Sequence, residues 1–122
     1  MIQEDALQKL IAELKQAEQA RAAGNEGMAR VCARRAAGIA IRAFYQARGE
    51  PVRSTSAVDL LEQIRNDERL SADIHAVAGH LLQRVTPDYQ LPIPADLLAE
   101  TRWLVDALHE QLNLSDDSST RV

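Results

Sequence analysis

The chain has 122 residues, of which 46% are apolar and 26% charged, with a formal net charge of −4, so it suits one compact globular domain better than a disordered segment. Its four aromatic residues, five glycines and four prolines are too few for a strand-rich sandwich or barrel. No apolar run is long enough for a membrane span, and the acidic balance argues against general adhesion to nucleic acid.

The first two predicted elements are long helices separated by a short turn. Gly24 is placed to stop the first helix, over residues 3–23, in the left-handed conformation. Asn25 is placed to cap a second helix over residues 26–48, which ends at Gly49. Gly38 inside that second helix costs about 1 kcal/mol relative to alanine, which predicts a packing reason for it. The predicted inward positions of the first helix, at three- and four-residue spacing, are Leu7, Leu10, Ile11, Leu14 and Ala17.

The second helix is predicted to present a buried face and a charged face. The buried face carries Cys32, Ala36, Ile39, Ala40, Ala43 and Phe44. The opposite face carries two ridges of arginines, with Arg30, Arg34 and Arg48 in one and Arg35 and Arg42 in the other. Val31, Ile41 and Tyr45 lie among these arginines, which indicates a second buried contact such as a subunit interface.

Residues 25–48 are basic within an acidic protein, since five arginines stand against one glutamate for a local charge of +4. One interpretation is that these arginines pair with acidic neighbours in the same bundle. The alternative is a local site for an anion or a nucleotide, because arginine binds carboxylates and phosphates in a bidentate geometry that lysine lacks. The candidate anion-binding residues are Arg30, Arg34, Arg35 and Arg42.

Three further helices are predicted, and each has a recognisable start. Ser56 and Ser71 are placed to cap a third helix that ends at residues 66–67 and a fourth that ends near residue 84. Pro87 and Pro92 forbid a continuous helix over residues 85–93, and Pro94 is placed to begin a fifth helix that ends near residue 113. The predicted inward positions are Val58, Leu60, Leu61 and Ile64, then Ile74, Val77, Ala78, Leu81 and Leu82, then Leu97, Leu98, Thr101, Leu104, Val105, Leu108 and Leu112.

Five amphipathic helices without strand signals predict an all-α fold. We expect an up-and-down antiparallel bundle of four main helices plus one shorter helix, with a single domain over residues 1–114 and a polar, flexible tail over residues 115–122. The start of the chain lacks the basic and apolar regions of a signal peptide, and the single cysteine, Cys32, fits a reducing compartment. We therefore expect a cytoplasmic protein that does not enter membranes.

Trp103 is the outlier of the fifth helix, because it lies opposite the inward stripe. Ala99 and Ala107 flank it four positions away on either side. An exposed tryptophan between small residues is a good anchor for a helix–helix interface, which predicts a homodimer. The alternative is that residues 86–91 fold over Trp103 within the monomer.

Motifs for catalysis or for binding metals and cofactors are absent: the sequence has no phosphate loop, no nucleophile elbow and no zinc-protease helix. We therefore expect no cofactor and no metal. His75 and His80 lie about 140° apart around a helix, so they cannot share a metal without a third element. Cys32 lies on the predicted buried face, where a thiol is inert, and the nearby arginines keep a nucleophilic thiol open as an alternative.

Several features occur in an order that is shared with a known family. An Arg- and Ala-rich helix over residues 29–38 precedes Tyr45 and Gly49, then a Ser-capped helix with Leu60-Leu61, then Leu81-Leu82 and Pro87-Asp88-Tyr89. Over about residues 5–112 this order resembles the HEPN superfamily, small all-α domains named for higher eukaryotes, prokaryotes and nucleotide binding. The resemblance implies a bundle that is usually dimeric. It also implies a partner of a minimal nucleotidyltransferase, a nucleotide-binding module, or a metal-independent ribonuclease of toxin–antitoxin systems.

For the ribonuclease members, the resemblance implies an arginine that stabilises the phosphate and a histidine that moves protons, with four to six residues between them. Arg69 with His75 and Arg102 with His109 have this spacing. The second pair is better placed, because seven positions are two helical turns and put both residues on one face. However, an apolar residue follows each arginine where the family usually has a polar one.

We therefore expect a non-catalytic, HEPN-like helical module, a homodimer that docks a nucleotide or a protein partner such as a nucleotidyltransferase. The alternative is a metal-independent HEPN ribonuclease, acting on RNA through Arg102 and His109.

Overall fold

Five α-helices make up most of the chain that the structure describes. The computed structural model describes residues 3–50, 52, 54–83 and 96–120, with side chains up to residue 113. Over these ranges no strand occurs, which confirms the all-α prediction, and no helix is long and apolar enough to cross a membrane. The helices are α1 (Glu4–Ala22), α2 (Glu26–Ala47), α3 (Ala57–Arg65), α4 (Ala72–Leu82) and α5 (Leu97–Thr120).

Local interactions start α2, α3 and α4, and stop α1 and α2, where the sequence predicts. Asn25, Ser56 and Ser71 each accept a hydrogen bond from the backbone N–H three residues further on, at 3.0, 3.5 and 3.3 Å. Gly24 follows α1 with a φ of +80°, and Gly49 follows α2 with a φ of +73°. Both angles lie in the left-handed region that glycine adopts at little cost. The predicted caps and stops are therefore confirmed.

Helix α2 lies at the centre of the fold, because it packs against α1, α3 and α5, while α4 packs against α3 and α5. Ile41 and Tyr45 are consequently 0% and 1% exposed within the core of their own chain. The second buried contact predicted for these two residues is confirmed, and it lies within the chain instead of at a subunit interface, since a helix with neighbours on several sides buries most of its circumference. Val31, the third residue of that prediction, remains 37% exposed.

The main core is aliphatic and joins α2 to α3, α4 and α5. Thr101 is also buried there, and its hydroxyl donates a 2.8 Å hydrogen bond to the backbone carbonyl of Leu97. This bond satisfies the polar group inside the core. The largest aliphatic and aromatic side chains of the core are Ile41, Phe44, Tyr45, Leu60, Leu61, Ile64, Ile74, Leu81, Leu97, Leu104 and Leu108.

Three predicted inward positions face solvent instead. Leu7, Ile11 and Val58 are 41%, 54% and 54% exposed. Helix α1 packs mainly against α2, so only a narrow stripe that includes Leu10 and Ala17 is buried. The apolar face that the sequence predicts for α1 is therefore wider than the surface that its neighbour covers.

Helix α5 continues to Thr120, past the end predicted near residue 113. No glycine or proline interrupts the backbone there, so the hydrogen-bonded helix extends through a polar segment that composition alone predicts as a tail. The domain boundary at residue 114 stays a prediction. Helix α5 also begins later than predicted, at Leu97 and not at Pro94, because the Asp96 carboxylate accepts a 3.2 Å hydrogen bond from the Ala99 N–H and caps the helix there. Pro87, Pro92 and Pro94 themselves, and the loop over residues 86–91, lie outside the described residues.

Candidate anion-binding surface

The four candidate arginines of α2 lie on two different surfaces. Arg34 donates hydrogen bonds to the backbone carbonyls of Leu81 and Gln83, at 2.7 and 2.5 Å. These carbonyls belong to the end of α4, which lacks helical partners for them. Burial lowers the pKa of the Arg34 guanidinium, and the charge of Arg30 adds to this effect. Arg34 is therefore a helix cap, and the structure does not bring all four arginines together.

Arg35 and Arg42 lie on a different side of α2 from Arg34, and both are exposed. Seven positions separate them, which is about 10 Å along a helix. Neither forms an ion pair with any residue that the structure describes. Within the described chain, the interpretation that the basic segment is neutralised by acidic neighbours therefore does not apply to these two.

A groove of about 290 Å³ runs beside Arg35 and Arg42, where the start of α3 meets α2. Gly38 also lines this groove. A larger residue would not fit at this position, because a Cβ there would lie only 3.1 Å from the Cβ of Ala57. The packing reason predicted for Gly38 is thus confirmed. A ligand or a partner side chain that enters the groove would meet Arg35 and Arg42, because both residues line it.

Glu13 lines the same groove from α1 and approaches Cys32. The Oε2 atom of Glu13 is buried and has no hydrogen-bond partner among the described residues. Cys32 is 1% exposed, and its Sγ lies 3.9 Å from Oε1 of Gln16. Burial raises the pKa of the Cys32 thiol, and the Glu13 carboxylate raises it further. A thiol kept protonated in this way is a poor nucleophile, which favours the inert role.

Trp103 is 42% exposed, while its neighbour Leu104 is fully buried. Its outward position on α5 is therefore as predicted. Ala99 is exposed beside it, whereas Ala107 packs partly buried against the main core. The candidate interface is consequently narrower than the sequence indicates, with one large aromatic side chain and one exposed small neighbour.

Arg102 and His109, the better-placed ribonuclease-type pair, are both exposed on α5. Arg102 forms an ion pair with Glu18 of α1. A bound carboxylate competes with a phosphate for the same N–H donors. A phosphate that binds Arg102 would therefore have to displace the Glu18 carboxylate.

A polar cluster joins the end of α2 to the turn between α3 and α4, and it contains Arg69 and His75, the other pair with ribonuclease-type spacing, which both contact Asp67. The Asp67 carboxylate accepts hydrogen bonds from the Tyr45 hydroxyl at 2.9 Å and from the Arg69 guanidinium at 2.8 and 2.9 Å. Arg69 also binds Glu50 at 2.5 Å. The Arg69 bonds are the main reason that the pKa of Asp67 is lowered to about 2, while burial raises the pKa of Tyr45. His75 Nε2 lies 2.7 Å from the Asp67 carbonyl.

His80 contacts the helix beside its own. His80 Nδ1 of α4 lies 2.6 Å from Glu100 Oε1 of α5. No group of three or more potential metal ligands occurs within the part of the chain that the structure describes. His75 and His80 therefore contact different partners and do not converge.

No family model, no curated protein and no solved structure matches this chain. The resemblance to the HEPN superfamily stays a prediction that rests on helix order and on short signatures.

Proposed function

We propose that this protein is a non-catalytic, HEPN-like binding module that acts as a homodimer and docks anionic groups through Arg35 and Arg42. The anion belongs to a nucleotide or to a protein partner such as a nucleotidyltransferase. The main support for this proposal is that both arginines are exposed beside a groove and lack an ion pair among the described residues. Their guanidinium donors are therefore available for bidentate binding of an anion.

A binding role is supported over a catalytic one by the state of the reactive side chains. Cys32 is buried, with the pKa of its thiol raised. His75 and His80 each lie within hydrogen-bond distance of a structural partner. Arg102 holds Glu18. Cys32, His75, His80 and Arg102 are thus each engaged within the fold.

The test is isothermal titration of the protein with inorganic phosphate and with mono-, di- and trinucleotides at low ionic strength. We expect binding that becomes at least tenfold weaker when Arg35→Ala and Arg42→Ala are combined. Arg65→Ala is the matched control, because Arg65 is exposed but lines a different cleft beside Leu82. That variant should bind as the parent does.

Three results would contradict the proposal. One is an absence of binding to phosphate, to every nucleotide and to an acidic helical peptide. Another is binding that survives the double substitution. The third is cleavage of RNA in EDTA that His109→Ala abolishes, because that result supports the ribonuclease alternative.

A further inference from the structure

The solvent-facing side of α2 carries one continuous row of apolar and basic side chains. Met28 and Val31 are 46% and 37% exposed, and Ile39 is partly buried. We call this row the α2 stripe, and it consists of Met28, Val31, Arg35, Ile39, Arg42 and Gln46. Neighbouring residues of the stripe are three or four positions apart, so the stripe follows a single helix face for about 27 Å.

The edges of the α2 stripe carry both signs of charge. Glu13 lines the groove beside Arg35. Asp5 and Lys9 line a neighbouring depression of about 250 Å³, which also contacts Arg42. A strand of phosphates is negative at every unit, so the two carboxylates would repel it. A protein helix can instead place carboxylates opposite the arginines and lysines opposite these acidic groups.

The spacing of the stripe also suits a helix as its occupant. Partner side chains at positions i and i+7 are about 10 Å apart, which matches the separation of Arg35 and Arg42 along α2. Apolar partner side chains at i+3 and i+4 would cover Ile39, which is partly buried beside the groove. Further apolar residues on the same partner face would contact Met28 and Val31.

We infer that the α2 stripe binds an amphipathic helix of a partner protein, which places two carboxylates, seven positions apart, against Arg35 and Arg42. This inference rests on the proposed anion-docking function and names the ligand class. Apolar contact supplies area, while the two charge pairs set the register and the orientation of the helix. Nucleotides would bind the same arginines more weakly, because they leave most of the stripe uncovered.

The test uses three fluorescein-labelled synthetic helical peptides of equal length. Their binding to the full chain is measured by fluorescence anisotropy. The first carries glutamates at i and i+7 within a leucine face. The second has the same composition with the glutamates moved to the opposite face. The third carries lysines in place of the two glutamates. The parent should bind the first peptide at least tenfold more tightly than either of the others.

Charge reversal then tests the register. Arg35→Glu combined with Arg42→Glu should weaken binding of the glutamate peptide at least tenfold and restore binding of the lysine peptide. Arg65→Glu, on the other cleft, should leave the order of the three peptides unchanged. Circular dichroism establishes that each variant remains helical, which is expected because all three positions are exposed.

The outcomes separate this inference from the proposed function. If nucleotides bind through Arg35 and Arg42 but the first two peptides bind equally, the helical partner is wrong and anion docking stands. If neither nucleotides nor peptides bind, both proposals fail. If reversal of both arginines fails to exchange the preference between glutamate and lysine peptides, the proposed register is wrong.

Discussion

The Tyr45 hydroxyl donates a 2.9 Å hydrogen bond to Asp67, 22 positions further along the chain. Tyr45 is 1% exposed and the Asp67 side chain 9% exposed, so the bond fastens the end of α2 to the α3–α4 turn from inside the fold. A buried hydroxyl without an acceptor costs about 1–3 kcal/mol, so the position of Asp67 matters for stability. The same carboxylate orients Arg69 toward Glu50.

Asp67→Asn keeps an acceptor for Tyr45 but removes the charge that Arg69 binds, so we expect it to lower the free energy of unfolding by about 1 kcal/mol at pH 7. The pKa of Asp67, about 2 in the fold, lies below the value of about 3.9 in an unfolded chain. The stabilisation from the ionised carboxylate is therefore complete above about pH 4 and is lost as the pH falls toward 2.

Urea unfolding at pH 7 and at acidic pH checks this. The difference between Asp67→Asn and the parent should shrink on acidification, and Glu68→Gln at the exposed neighbouring position should differ little from the parent at either pH. A difference that stays constant with pH would contradict the assignment.

Gly38→Val should lower the free energy of unfolding by about 1–3 kcal/mol, because even a Cβ at this position meets Ala57 closely and a valine overpacks the contact. Gly27→Val is the matched control in the same helix. A Cβ at Gly27 meets only Asn25 Oδ1, at 3.8 Å, so we expect a change within about 0.5 kcal/mol. Thermal unfolding followed by circular dichroism measures both, and equal effects would show that the α2–α3 contact can relax.

Arg34 and Arg35 are adjacent in sequence, but substituting them should change the stability of the protein by very different amounts. Arg34→Ala removes the bonds to the end of α4, so we expect a loss of about 1.5–3 kcal/mol in the free energy of unfolding. Arg35→Ala should change stability by less than about 0.5 kcal/mol, because the side chain is exposed. Urea unfolding of the two variants measures this contrast. A stable Arg34→Ala protein would show that the cap contributes little.

Trp103 is the only tryptophan in the sequence, so fluorescence reports directly on the predicted dimer interface. We expect its emission to shift to shorter wavelength as protein concentration rises, together with dimer formation in light scattering. Trp103→Ala should weaken the dimer by about 2 kcal/mol or more if the residue is its anchor. Ile11→Ala, at another exposed apolar side chain, is the control. A monomer at every concentration would remove this interface.

Helix positions and helix ends could be predicted from the sequence because the interactions that determine them are local. Asn25 and Ser71 bond to backbone groups three residues away, and Gly24 adopts its φ of +80° without help from distant residues. The burial of Leu104 could also be predicted, since it lies in the centre of a wide apolar face. The end of α5 could not, because polar residues 115–120 neither require nor forbid a helix.

Amino-acid order alone thus determined an all-α chain, its caps, a buried Cys32 and an outward Trp103. Only the tertiary structure decided which arginines of α2 serve as caps and which face solvent, because Arg34 and Arg35 differ by the helix that lies beside them and not by any local pattern. It likewise decided that Tyr45 is buried in its own chain. Such contacts join residues far apart in sequence, and periodicity within one helix carries no information about which neighbour will cover each face.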